Sequence, residues 1–154
     1  MPSASTRKKK ADARAGEYDS PWKDVLQEFF RPALELCFPA IAREIDWSKG
    51  VEFLDKEFQK IAPVAESGRR YVDKLAKVWR RDGVAEWILV HVEVQAQRRA
   101  TFPHRTFVCW CRIGQRYHRE VVSLAILADN RPRWRPSSYE RGLWGCRARF
   151  EFPT

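Results

Sequence analysis

At 154 residues and a 44% hydrophobic share, the chain is the size of one domain and can bury a real core, which excludes a wholly disordered polypeptide. No apolar run approaches the roughly 18–20 residues that a membrane-spanning helix needs. Lysine and arginine outnumber aspartate and glutamate 29 to 20, a net charge of +9 that attracts phosphate backbones without regard to sequence and also keeps a protein in solution.

Residues 1–17 are small, polar and basic (STRKKKADARAG) and lack the apolar stretch of a secretory signal. They are expected to form a disordered basic tail ahead of a single domain over 18–154, and the cytoplasm is the expected location. Ser20 before Pro21 is a good helix start. Trp22, Leu26, Phe29, Phe30, Ala33, Leu36 and Cys37 recur at spacings of three and four, which predicts one amphipathic helix to Cys37. Pro39 interrupts it, with a short helical turn to Ile45. Asp46 to Gly50 reads as a turn, and a second helix is expected over Val51 to Ile61.

The period then changes. YVDKLAKVW (71–79) and WILVHVEVQ (87–95) are β-branched and aromatic, and Asp82-Gly83 between them is a turn signal. A hairpin closed through residues 81–85 sets Trp79 opposite Trp87, Leu75 opposite His91 and Asp73 opposite Glu93. Ile88, Val90, Val92 and Val94 make an apolar face; Trp87, Leu89, His91, Glu93 and Gln95 share the other. A helix over Pro103 to Tyr117 follows. Val121 to Ala128 is a continuous apolar run, expected as a buried strand joined to its partner by a right-handed crossover and parallel to it. Asp129 to Gly142 reads as loop, and Cys146 to Phe152 as an edge strand.

Four cysteines in a chain without an export signal point to free buried thiols, since no histidine stands at zinc-ligand spacing to any of them. His91 is expected to be a satisfied structural histidine.

The chemistry sits at the inner end of the hairpin. Asp73 and Glu93 as a cross-strand pair lie within roughly 5 Å of each other, with Gln95 on the same face. Two carboxylates held that close repel, and a hard cation such as Mg²⁺ or Mn²⁺ resolves the conflict. An ordinary solvated sheet face is the plain alternative for the same residues.

The segments YDSPWKDVLQEFF, IDWSKGVEFLDKEFQKI, GRRYVDKLAKVW, WILVHVEVQ and VVSLAILAD, in that order, resemble the PD-(D/E)XK nuclease superfamily. More narrowly, they resemble its bacterial branch of recombination-promoting nucleases and transposase-like proteins. The resemblance implies an α/β (α+β) fold with a restriction-endonuclease-like three-layer core, a small mixed sheet flanked by helices. It implies a metal-dependent DNA endonuclease with Asp73, Glu93 and Gln95 as catalytic residues. The metal would be held by Asp73, Glu93, the Val94 carbonyl and a helix acid, Glu57 or alternatively Asp55. Gln95 stands where the superfamily has lysine; an amide takes no proton near neutral pH, so it can only orient water or a phosphate oxygen. The superfamily also has a strand before the one carrying the aspartate, which the sequence does not display. Relatives continue past the equivalent of Thr154, so a truncated copy is expected. Arg69, Arg70, Arg98, Arg99 and Arg105 flank the site and are expected to grip phosphates, with solvated loop charge as the alternative. Trp134 stacks on a base or packs under its loop. A homodimer is one arrangement the resemblance allows, and a catalytically inactive, nuclease-fold DNA-binding module is the rival function.

Overall fold

The computed structural model describes residues 21–63, 72–84 and 86–154; the basic tail, Ser20, Arg69, Arg70 and Tyr71 lie outside them. Helix α1 covers residues 21–28, α2 Phe30–Cys37 and α3 Pro39–Glu44. A 3₁₀ turn (Trp47–Lys49) leads to β1 (Glu52–Phe53), α4 (Asp55–Ile61), β2 (Val72–Trp79), β3 (Trp87–Gln95), α5 (Phe102–Tyr117), β4 (Val121–Leu127), β5 (Ser138–Leu143) and β6 (Cys146–Glu151).

The expected single helix to Cys37 is two helices broken at Phe29, whose φ of −117° and ψ of 34° are not helical. Pro32 supplies the reason: it has no amide to bond the Glu28 carbonyl, and its ring clashes with that carbonyl. The break turns Phe29, Leu36 and Cys37 to solvent, while Leu26, Phe30 and Leu34 stay buried. Each of those three contributes roughly 1.5–3 kcal/mol by leaving water. Phe38 precedes Pro39 and is forced out of the helical region, which separates α2 from α3.

The expected helix over Val51 to Ile61 is likewise shorter. Glu52 and Phe53 pair antiparallel with Lys77 and Ala76 of β2, and the Leu54 amide bonds the Leu75 carbonyl at 2.7 Å. Phe53 packs with one core cluster and Leu54 with the other, a period of two rather than 3.6. A two-residue strand that the sequence does not display therefore precedes β2 in the chain.

Strands β1, β2, β3 and β4 form one mixed sheet in that order, with β3 and β4 parallel and the other pairs antiparallel. The hairpin register is the expected one: Trp79 faces Trp87, Leu75 faces His91 and Asp73 faces Glu93. Gly83, at φ +79°, and Asp82, whose carboxylate accepts the Val84 amide at 3.2 Å, shape the turn. Ala76, Val78, Val90, Val92, Val94 and Leu124 pack against α1, α2 and α3. Leu75 and Leu89, on the other face, pack with Phe58 of α4 and with Cys109 and Ile113 of α5. The molecule is thus a mixed α/β fold with helices on both faces of a four-stranded mixed sheet.

Residues 138–143, expected as loop, are a strand paired with β6 in a separate hairpin. Arg141, Arg147 and Arg149 are exposed on it, and Tyr139 is half-buried between exposed Ser138 and Glu140. Phe150 and Phe152 anchor this hairpin to Phe102 and Ala125, and the Pro153 carbonyl accepts the Ala125 amide at 3.0 Å, covering the β4 edge. Among the described residues no helix is long and apolar enough to cross a membrane.

Candidate functional site

Strand alternation and a fixed turn bring Asp73 and Glu93 side by side, because antiparallel partners point to the same side of a sheet. Helix α5 lies over that side and turns Arg105, Thr106 and Cys109 toward it; all three are buried. Glu93 has no exposed surface. Its Oε1 accepts from Arg105 Nε and Nη2, and its Oε2 accepts from the Thr106 hydroxyl at 2.8 Å. Arg105 Nη2 also donates to Gln95 Oε1 at 3.0 Å, and the Gln95 amide nitrogen donates to the Gln97 carbonyl. A carboxylate taken wholly out of water needs such partners, since an isolated buried charge costs several kcal/mol.

Two residues from Glu93 along the same face, His91 is fully buried. Its Nδ1 lies 3.1 Å from Ser123 Oγ on β4, and its Nε2 has no hydrogen-bond partner. Burial, and secondarily the Arg105 charge, push its pKa down to about 3, so the ring is neutral. Burial first, then the charge of Asp73, pushes the Cys109 thiol up. Asp73, His91 and Cys109 each offer one ligand atom, and these atoms lie within 4.8 Å of one another.

The chain matches no protein-family model, no curated protein and no solved structure. What the arrangement can do follows from its own side chains.

Asp73, Glu93 and Gln95 share one face as expected, and Val94, paired with Val72 and Ile126, points to the other. Glu57 is exposed on α4, close enough to Tyr117 for its charge to add to the effect of burial in raising that phenol's pKa. It is not part of the cluster around Asp73. Asp55, the other helix acid, accepts from Lys74 Nζ at 2.6 Å and from the Leu75 amide at 3.1 Å. Lys74 is itself buried and also donates to Gln27 at 2.5 Å. It points to the opposite side of β2 from Asp73, so it takes no part in the cluster on that face.

Arg98 and Arg99 are exposed in the segment after β3, whereas Arg105 turns inward to Glu93, away from any surface role in this state. Trp134 packs edge-on against Phe102 at 5.9 Å, which is the packing reading of that residue. Cysteines 37, 111 and 146 are exposed, so only Cys109 fits the expectation of a buried thiol. His91 is not fully satisfied, in contrast to the structural role expected for it. Sequence reasoning also missed Trp144, 97% exposed at the tip of the β5–β6 hairpin with φ +52°. A Trp-Gly pair between alternating segments was its available signal.

Proposed function

We propose that the chain is a divalent-metal-dependent DNA nuclease built on a restriction-endonuclease-like core. The observation that carries this reading is the cross-strand pairing of Asp73 with Glu93 on one face of the sheet. Two hard oxygen donors in register belong to the kind of donor set that Mg²⁺ or Mn²⁺ takes, which supports an ion of that class here. Asp73 and Glu93 would hold it, with the Val94 carbonyl as the superfamily resemblance suggests. A bound divalent ion supplies Lewis acidity toward a phosphodiester and a water of lowered pKa.

The chain's own residues do the rest. Gln95 moves no proton; its carbonyl oxygen positions the Arg105 guanidinium. Thr106 fixes one oxygen of Glu93 and so sets the direction of the other. Arg105 neutralises Glu93 in the resting protein, so Glu93 could hold an ion only where that guanidinium gives up its oxygen. Arg98 and Arg99 offer exposed cations to the phosphate backbone, and Lys60, Arg112 and Arg116 line a groove between α4 and α5. DNA is the partner in this reading, two copies pair where both strands are cut, action is cytoplasmic, and the biological setting is recombination or transposition.

One observation favours a second reading. The ion pair of Glu93 with Arg105 satisfies the carboxylate without metal, as a decayed nuclease that only binds DNA would. Supercoiled plasmid with Mg²⁺ or Mn²⁺, beside an Asp73→Ala control, separates the two. Nicking lost in the variant supports the nuclease. Retardation of DNA without nicking, independent of metal, supports the binding module. If neither occurs at low salt, where phosphate attraction is strongest, both readings fail.

A further inference from the structure

We infer that Asp73, His91 and Cys109 form a binding site for a transition-metal ion of the Zn²⁺ class, which shares Asp73 with the proposed magnesium-type position but takes nitrogen and sulfur donors in place of Glu93. Three elements converge to make it: β2 brings the carboxylate, β3 the imidazole and α5 the thiol. Their ligand atoms already lie within 4.8 Å of one another. Tetrahedral zinc with bonds of about 2.0–2.3 Å sets its ligands roughly 3.3–3.8 Å apart, so modest side-chain adjustment closes the site.

The donor set selects the ion. Imidazole and thiolate suit Zn²⁺ and its neighbours in the first transition row and are poor ligands for Mg²⁺ or Ca²⁺. The imidazole is prepared for this. Ser123 holds Nδ1 and orients the ring, while the wholly buried Nε2 has no hydrogen-bond partner. A hydrogen-bonded far nitrogen is the usual companion of a ligating histidine, since it sets tautomer and ring direction. A buried ring nitrogen without a partner costs free energy that a metal bond would recover.

Three protein ligands are one fewer than a closed structural zinc site uses, which leaves a fourth position for water or a substrate atom. Asp73 is the part-exposed member of the trio, so that position opens on its side.

The test is metal spectroscopy on the full-length protein without DNA, so its result does not depend on the nuclease reading. Metal-stripped protein is titrated with Co²⁺, and Zn²⁺ is then added in competition with a chromophoric chelator. The expected result is one Co²⁺ per chain with a sulfur-to-cobalt charge-transfer band in the near ultraviolet, displaced by Zn²⁺. Replacing Cys37, Cys111 and Cys146 together with serine should keep the band, while Cys109→Ser should abolish it. Ser123→Ala should keep the band but weaken Zn²⁺ binding roughly 10–100-fold, as loss of an orienting partner does. Absence of the band in the wild-type protein overturns the inference even if Cys109→Ser fails to fold. So does loss of the band with the three exposed cysteines, or a Cys109→Ser protein that binds Zn²⁺ as tightly as wild type.

Discussion

Arg105 on α5 closes over Glu93 on β3, and both side chains are almost wholly buried, 7% and 0% exposed. The pair fastens the helix to the sheet at the point where the candidate chemistry lies. Arg105→Ala would leave a buried carboxylate without its cation, and removal of one partner of a buried pair costs about 3–5 kcal/mol. Urea unfolding should show that loss, and Mg²⁺ or Mn²⁺ should restore part of it if Glu93 accepts an ion in place of the guanidinium. No recovery with either metal would count against Glu93 as a ligand.

His91 makes the metal-free protein sensitive to acid. Its folded-state pKa of about 3 lies below the ordinary value of 6.5, so below pH 6.5 the unfolded chain takes up a proton that the folded chain refuses. Stability from this group is complete above about 6.5 and falls as pH drops toward 3, by at most about 1.4 kcal/mol per pH unit. The groups that bear on the ring are Arg105 and Cys109 on α5, Asp73 on β2, Ser123 on β4 and Phe58 on α4. Chelator-treated His91→Gln should show a shallower loss between pH 6 and 4 in urea titrations, compared with the wild-type chain.

The hairpin tip offers an aromatic ring to solvent between Arg141 and Arg147. If the hairpin meets DNA, Trp144 is the residue able to stack on an unpaired base, an interaction worth about 1–3 kcal/mol. Trp144→Ala should then weaken binding to a single-stranded oligonucleotide by roughly 10-fold or more at unchanged thermal stability. Trp134→Ala should do the reverse, because that ring packs on Phe102. Equal affinity for Trp144→Ala and wild type would remove the hairpin from the interface.

Lys74 and Asp55 tie α4 to the edge of β2 with a contact of 2.6 Å at a lysine only 3% exposed. Lys74→Ala strips the cation from a half-buried aspartate and leaves Gln27 without its donor. A loss of about 2–4 kcal/mol is expected, below the full cost of a buried pair because Asp55 keeps 16% exposure and the Leu75 amide. The double variant Lys74→Met with Asp55→Asn should recover part of it in the same urea measurement.

Much of this arrangement was legible from residues alone. The alternation in 71–79 and 87–95 and the Asp82-Gly83 turn are local signals, and together they determine a register in which Asp73 must face Glu93. The helix at α5 and the buried strand after it follow from periodicity in the same way. The breaks were legible only in part: Pro32 disrupts a helix that the apolar stripe alone would continue, and β1 exists because the β2 edge offers the Leu75 carbonyl to Leu54. Only the tertiary structure decided what surrounds the carboxylates. Arg105 reads as a phosphate-gripping or solvated loop charge until α5 is laid on the sheet, and Cys109 meets His91 and Asp73 only through that packing. Strand period and turn type constrain neighbours along and across a hairpin. The rotation of a helix over a sheet is set instead by the whole apolar interface between them, which no short stretch of sequence contains.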